Sequence, residues 1–293
     1  MQTILTRNRL SSSLLVLLLA FSSRAFGLGP DSLFAPQSRG DGQTINFRII
    51  NTDESAKNPW TAIGNFLIPG LGGYCSAVLV APRVVLTANH CLYAVDYRKL
   101  DSKGNPTKQL MDAKSFVFVA GVHDNSFADT IAVEEVITGG WEPGSDETAK
   151  DWAIAILARP ASAYIVPVAL RPYALKDVTA AWANKVVIAA YPGASFAFSA
   201  VLRFSFNCSI VKSGTANALT TTCQTEAGSS GGPILVEEDG QLRLIGIHSS
   251  TQLINSHYSN EVSINGFLAQ ITDAMARFAP IPLAHAAGDL VLR

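Results

Sequence analysis

The chain has no basic run. Its 293 residues carry 22 lysines and arginines against 23 aspartates and glutamates, a formal net charge of -1. Nucleic-acid binding needs clustered cations facing phosphates, so it is excluded as a principal function. After the first residues no apolar stretch approaches the roughly 20 residues that a membrane-spanning helix requires. None of the four cysteines, Cys75, Cys91, Cys208 and Cys223, forms a C-x-x-C pair. That spacing argues against a structural zinc site, and no metal is expected. Internal repeats are lacking, and helical periodicity is almost confined to one late segment.

What is present begins with a leader. Arg7 and Arg9 precede the apolar run Leu14 to Phe21, and small residues follow. This order reads as a secretory signal peptide over residues 1–27, cut after Ala25 or Gly27. A buried N-terminal helix fits that order less well. The mature protein is expected to be secreted or periplasmic, with no membrane anchor. An even cysteine count behind such a leader favours disulfides, and four cysteines allow three pairings. Residues 28–48 are rich in Gly, Pro and Ser and read as a propeptide or flexible lead-in. Order is expected from Arg48-Ile49-Ile50-Asn51, giving a folded domain over 49–280 and a tail over 281–293. A hydrophobic fraction of 48% supplies a sizeable core.

The folded part reads as strand after strand. Tyr74 to Val80 and Arg83 to Thr87 flank a turn at Ala81-Pro82. Ser115 to Ala120, Thr130 to Ile137, Trp152 to Leu157, Lys185 to Ala190, Phe196 to Phe206, Ile210 to Lys212 and Leu242 to His248 follow. All are short and bounded by turn residues. Asp239-Gly240 marks a hairpin. Asp96 to Asp112 is polar and reads as a long surface loop. Phe267, Leu268, Ile271, Met275 and Phe278 recur at helical spacing, with Asn265 as expected N-cap. The sum is an all-β protein with a C-terminal α-helix.

Three short stretches carry chemistry. In Gly228-Ser229-Ser230-Gly231-Gly232-Pro233, small residues surround a hydroxyl and let backbone N–H groups approach a reacting atom. Such a serine is a nucleophile only if a base reaches it. Thr87-Ala88-Asn89-His90-Cys91 places a histidine at a strand end, beside a cysteine. Asp151-Trp152-Ala153-Ile154 places a carboxylate at the mouth of an apolar strand, where it can fix an imidazole tautomer. Asp124, Asp129 and Asp146 are rival carboxylates, but none leads into so apolar a run. Singly, each stretch also fits a hairpin corner, an exposed histidine or a solvated aspartate.

In this order, His then Asp then Ser, the three resemble the chymotrypsin-like serine peptidases, over about Ile49 to Phe278. The resemblance implies two six-stranded Greek-key β-barrels with the active site between them. It implies the cysteine pair Cys75–Cys91, which leaves Cys208 and Cys223 to each other. It implies Ser230 as nucleophile, His90 as base and Asp151 as its orienting acid. The N–H groups of Gly228 and Ser230 would form the oxyanion hole, with the Ser249 hydroxyl supporting Asp151. A monomer acting on protein or peptide substrates, with no cofactor, is expected.

The chain departs from the digestive members of that family at Ser229, where they carry an aspartate that receives a new N-terminal ammonium. Arg48-Ile49 resembles an activation junction, yet that ion pair cannot form here. Gln224, six residues before the nucleophile, lacks the carboxylate of a trypsin-like pocket. Thr225 and His248 resemble the acid-recognising pair of the bacterial glutamyl endopeptidases. A hydroxyl and an imidazole can hydrogen-bond a carboxylate, which points to Glu or Asp before the cut. Two other classes remain open. One is an inactive peptidase-like binding module. The other is an α/β-hydrolase using the G-x-S-x-G pattern with Asp273 and His285, which needs a parallel sheet.

Overall fold

The structure is a computed structural model. It describes residues 37–38, 44–45, 47–70, 74–102, 104, 106–124, 126–174, 178, 182–193, 201–215, 217–251 and 258–278. The expected signal peptide, the tail over 281–293 and His285 lie outside these residues.

The strands in chain order begin with β1 (Gln37–Ser38), β2 (Thr44–Ile45), β3 (Phe47–Ile49), β4 (Ile63–Leu67), β5 (Tyr74–Ala81) and β6 (Val84–Thr87). Next come β7 (Tyr93–Leu100), β8 (Pro106–Leu110), β9 (Val117–Ala120), β10 (Asp129–Thr138), β11 (Ala153–Leu157) and β12 (Val186–Ala190). The last are β13 (Arg203–Cys208), β14 (Ile210–Thr215), β15 (Ala218–Thr221), β16 (Pro233–Glu238), β17 (Gln241–Thr251) and β18 (Ser259–Ser263). A short helix α1 spans Thr52–Ser55, and α2 spans Leu268–Arg277.

Six antiparallel strands close the first barrel in the order β10-β11-β6-β5-β4-β9. Strand β11, Ala-Ile-Ala-Ile-Leu, is buried at every position. Its inner face fills the barrel. Next to it Trp152 stacks on Phe267, just before α2, with ring centroids 4.6 Å apart. A run apolar on both faces belongs where both faces are covered, which is why β11 shows no alternation.

The second sheet has eight strands, β14-β15-β18-β17-β16-β12-β13-β3. This half-barrel sheet is the expected second barrel, with more strands joined to it than six. Only Ser209 separates β13 from β14, and the chain turns there with Asn207 at φ 56. One bent strand therefore joins the two ends of the sheet and curls it round. Strand β3 is an extra edge, paired with β13 through Arg203↔Ile49. The antiparallel pairings throughout both sheets also remove the parallel sheet that an α/β-hydrolase needs.

Other expectations change as well. Asp96 to Asp112 is largely a hairpin, β7 with β8, not a loop. Its exposed, polar strands bury no face and so carry no alternating signature. Asn265 is not the cap of α2, whose N-cap Phe267 makes no side-chain capping bond. The Asn265 side chain instead donates to Tyr173 O. The lead-in is not wholly free of structure. Arg48 sits within β3, its guanidinium paired with Glu54 and lying over the Phe204 ring. The Asp239-Gly240 turn does join β16 to β17, both residues at positive φ.

Candidate active site

Strand β6 delivers Ala88 into a short turn, Asn89–Leu92, and this turn presents His90. The disulfide Cys75–Cys91 ties the turn back to β5. Cys75, His90 and Cys91 lie close together, but the two sulfurs are bonded to each other and offer no thiolate to a metal. Asp151 stands at the mouth of β11, 2% exposed. Its Oδ1 accepts from the backbone N–H of His90 at 2.8 Å. Its Oδ2 lies 2.7 Å from His90 Nδ1. The Ser249 hydroxyl donates to the same Oδ2 at 2.6 Å. An Nδ1–H directed at Asp151 leaves Nε2 as the ring's acceptor nitrogen.

Two of the rival carboxylates are engaged elsewhere, while the third, Asp146, is exposed and lines the cleft beside His90. Asp129 is gripped by Arg159 and by the Ser162 hydroxyl and amide. The Arg159 guanidinium above all holds its carboxyl down at about 2. Asp124 pairs with His123.

The glycine turn runs directly ahead of β16. Gly228 has φ +92 and Gly231 φ +79, a region that disfavours any side chain. A Cβ on Gly228 would stand 2.8 Å from Tyr191 O. The Ser76 amide donates to Ser230 O at 2.8 Å. Ser76 follows Cys75, and Cys91 follows His90, so one disulfide and one hydrogen bond link the base to the serine turn. Ser229 is buried, and its hydroxyl accepts from the Glu226 amide at 3.3 Å.

A family model described as Trypsin matches residues 49–272. The chain belongs to the trypsin family. A silkworm (Bombyx mori) relative, named a CLIP domain-containing serine protease HP8, is 39% identical over 80 residues. That match covers 26% of this chain and 21% of the relative, so it spans about a fifth of the relative's length. Among solved structures, a Glu endopeptidase in complex with MPD superposes with a TM-score of 0.57 at 16% identity. The superposition covers 78% of this chain and 95% of that one and shows the shared fold.

The trypsin-family frame makes two placements informative. His248, in β17, is 1% exposed, and its Nδ1 lies 3.0 Å from Glu261 Oε2. Glu261, in β18, is fully buried. Its other oxygen accepts from Thr221 Oγ1 at 3.0 Å and from the Ser259 hydroxyl. Thr225 does not bond His248; its hydroxyl shares a 2.6 Å bond with Thr251.

The second placement is a cleft of about 380 Å³ beside His90, walled by Trp141 and Lys108. Trp141 meets the His90 ring edge-on, with centroids 5.8 Å apart. Lys108 Nζ stands 5.8 Å over the indole. Sequence reasoning missed Ser76, Trp141, Lys108 and Glu261. Lys108 sits on the hairpin read as a loop, and Glu261 in a polar run that shows no strand pattern.

Proposed function

We propose that this chain is a secreted serine endopeptidase in which Ser230 attacks, His90 moves the proton and Asp151 holds His90. One observation carries the reading: the buried Asp151 gives both its oxygens to His90, one to the backbone N–H and one to Nδ1. A solvated aspartate ahead of a strand does neither. The Ser230 Oγ–H proton passes to His90 Nε2 as Oγ bonds to the scissile carbonyl carbon. The N–H groups of Gly228 and Ser230 receive the resulting oxyanion. His90 then gives the proton to the leaving amine, and water releases the acyl group by the same steps. Membership of the trypsin family supports this reaction class. The Arg-apolar-small leader and the disulfides Cys75–Cys91 and Cys208–Cys223 support secretion. No helix among the described residues is long and apolar enough to cross a membrane.

The same proposal extends to an acidic residue before the cut. The 3.0 Å contact to Glu261 turns His248 Nδ1 inward and leaves Nε2 for a ligand. An imidazolium donates from both nitrogens and so bridges Glu261 and a substrate carboxylate. The near-complete burial of His248 and Glu261 favours a second reading, in which the pair is part of the core and the pocket selects otherwise.

Two measurements test these readings. A serine-directed phosphonate should label the wild type stoichiometrically and leave Ser230→Ala unlabelled. An unlabelled wild type, with Ser230→Ala indistinguishable in every assay, would favour the binding module. Peptide-library cleavage should cluster after Glu and Asp; cuts spread over apolar or basic residues would leave His248 and Glu261 as core.

A further inference from the structure

Ser76 is a buried serine that the reaction scheme above does not use, yet it touches the nucleophile turn twice. It lies in β5, is fully buried, and belongs to the first barrel. Its hydroxyl donates to Gly228 O at 2.9 Å. The same oxygen accepts from the Tyr191 amide at 2.9 Å. Its backbone N–H donates to Ser230 O. Ser76 therefore holds the two carbonyls on either side of Ser229, one with its side chain and one with its main chain.

The peptide planes explain what this grip does. The Gly228 N–H belongs to the Ala227–Gly228 plane. Across the planar peptide, Ala227 O points the opposite way and accepts from Gly193 N at 2.7 Å. The next plane, Gly228–Ser229, is held at its carbonyl by the Ser76 hydroxyl and at its N–H by Glu226 O, 3.0 Å away, so Ser76 supplies the grip from outside the turn. Both planes meeting at the Gly228 Cα are thus pinned. Glycine is the residue most free to rotate there, and it holds φ +92. Ser229 has no charge with which to draw in an ammonium, and its hydroxyl bonds only locally, to the Glu226 amide.

We propose that Ser76 is the positioning residue of the oxyanion hole. Through Gly228 it keeps the turn in its receiving conformation, where an ammonium–carboxylate latch would otherwise do so. The consequence is an oxyanion site assembled by folding alone, with no newly cut N-terminus. The proposal rests on Ser230 being the nucleophile.

The test compares wild type, Ser76→Ala and Ser230→Ala. End-point titration with a phosphonate counts competent sites, so rates are expressed per titrated serine. Ser76→Ala should titrate fully. Its kcat should fall by about 10- to 100-fold, less than the roughly 10²–10³ that loss of a whole oxyanion donor costs, because the donor is loosened and not removed. KM should stay within about twofold, since the ground-state carbonyl makes little use of the hole. A peptide aldehyde, which forms a tetrahedral adduct, should weaken by the same factor as kcat/KM. A per-site kcat within about twofold of wild type, a rise in KM alone, or unchanged aldehyde affinity would overturn the assignment. Ser76→Gly deletes the same hydroxyl and also its Cβ, leaving room for a water to satisfy the Tyr191 amide, and decides the matter if Ser76→Ala is not recovered folded. Failure of both to fold would make Ser76 a residue of the fold alone and would also overturn it. A wild type as inactive as Ser230→Ala would instead refute the nucleophile.

Discussion

Glu261→Gln separates charge from shape in the proposed specificity pocket. The substitution keeps the outline of the side chain. Its carbonyl oxygen can stay with Thr221 and Ser259, which donate to Oε1 now. The amide nitrogen then faces His248 Nδ1 and donates to it, so Nδ1 becomes an acceptor and the ring proton moves to Nε2. The pocket keeps an Nε2–H donor but loses the carboxylate that would hold a second proton on the ring. A hydrogen bond to a charged group contributes about 1.5–3 kcal/mol and a neutral one about 0.5–1.5. The difference, about 1–1.5 kcal/mol, is roughly a 5- to 12-fold loss of preference. The assay is kcat/KM for two peptides that differ only in Glu or Gln before the scissile bond. The ratio of the two should fall by that factor, while the value for the Gln peptide holds and reports an intact fold. An unchanged ratio would refute the pairing argument, as would an equal fall for both peptides.

Two further outcomes follow from bonds already described. Ser249→Ala removes the hydroxyl that donates to the buried Asp151 Oδ2. It should lower kcat roughly tenfold, from about 1.5 kcal/mol for a bond to a charged acceptor; an unchanged kcat at saturating substrate would show that Asp151 needs no third donor. Asp129, held near 2 by Arg159, is ionised and stabilising above its ordinary value of 3.8, and loses that contribution as pH falls towards 2. Discounted for the half-exposed Arg159, the loss is about 1–2 kcal/mol. Denaturant titration from pH 5 to pH 2 should show this slope and find it flattened in Asp129→Asn.

Legibility in the sequence followed hydrophobicity. Strands β5, β6, β11, β12 and β17 were readable because apolar runs ended at turn residues, and Asp239-Gly240 had the chemistry its turn requires. The order of His90, Asp151 and Ser230 pointed to the family. What stayed hidden was polar. Strand β18 reads Ser-Asn-Glu-Val-Ser, and no pattern rule would bury it. It is buried because Ser259 and Glu261 satisfy one another and His248, and that partnership exists only after three strands have met. The hairpin of β7 and β8 was missed for the opposite reason, since strands exposed on both faces leave no alternation. Ser76 looked like one small residue in an apolar strand. Its importance lies in reaching Gly228, 152 residues away, which no local window can register.

The bond between Cys75 and Cys91 has a consequence for when the protein can work. Cys75 precedes Ser76 in the chain, and Cys91 follows His90. One cross-link therefore anchors both the serine that steadies the turn and the histidine that serves it. In a reducing environment the same sequence lacks that anchor, and the two halves of its machinery lose their common support together. For the secreted peptidase proposed above, oxidation would act as a clock, since this anchor forms only once the chain has left a reducing interior.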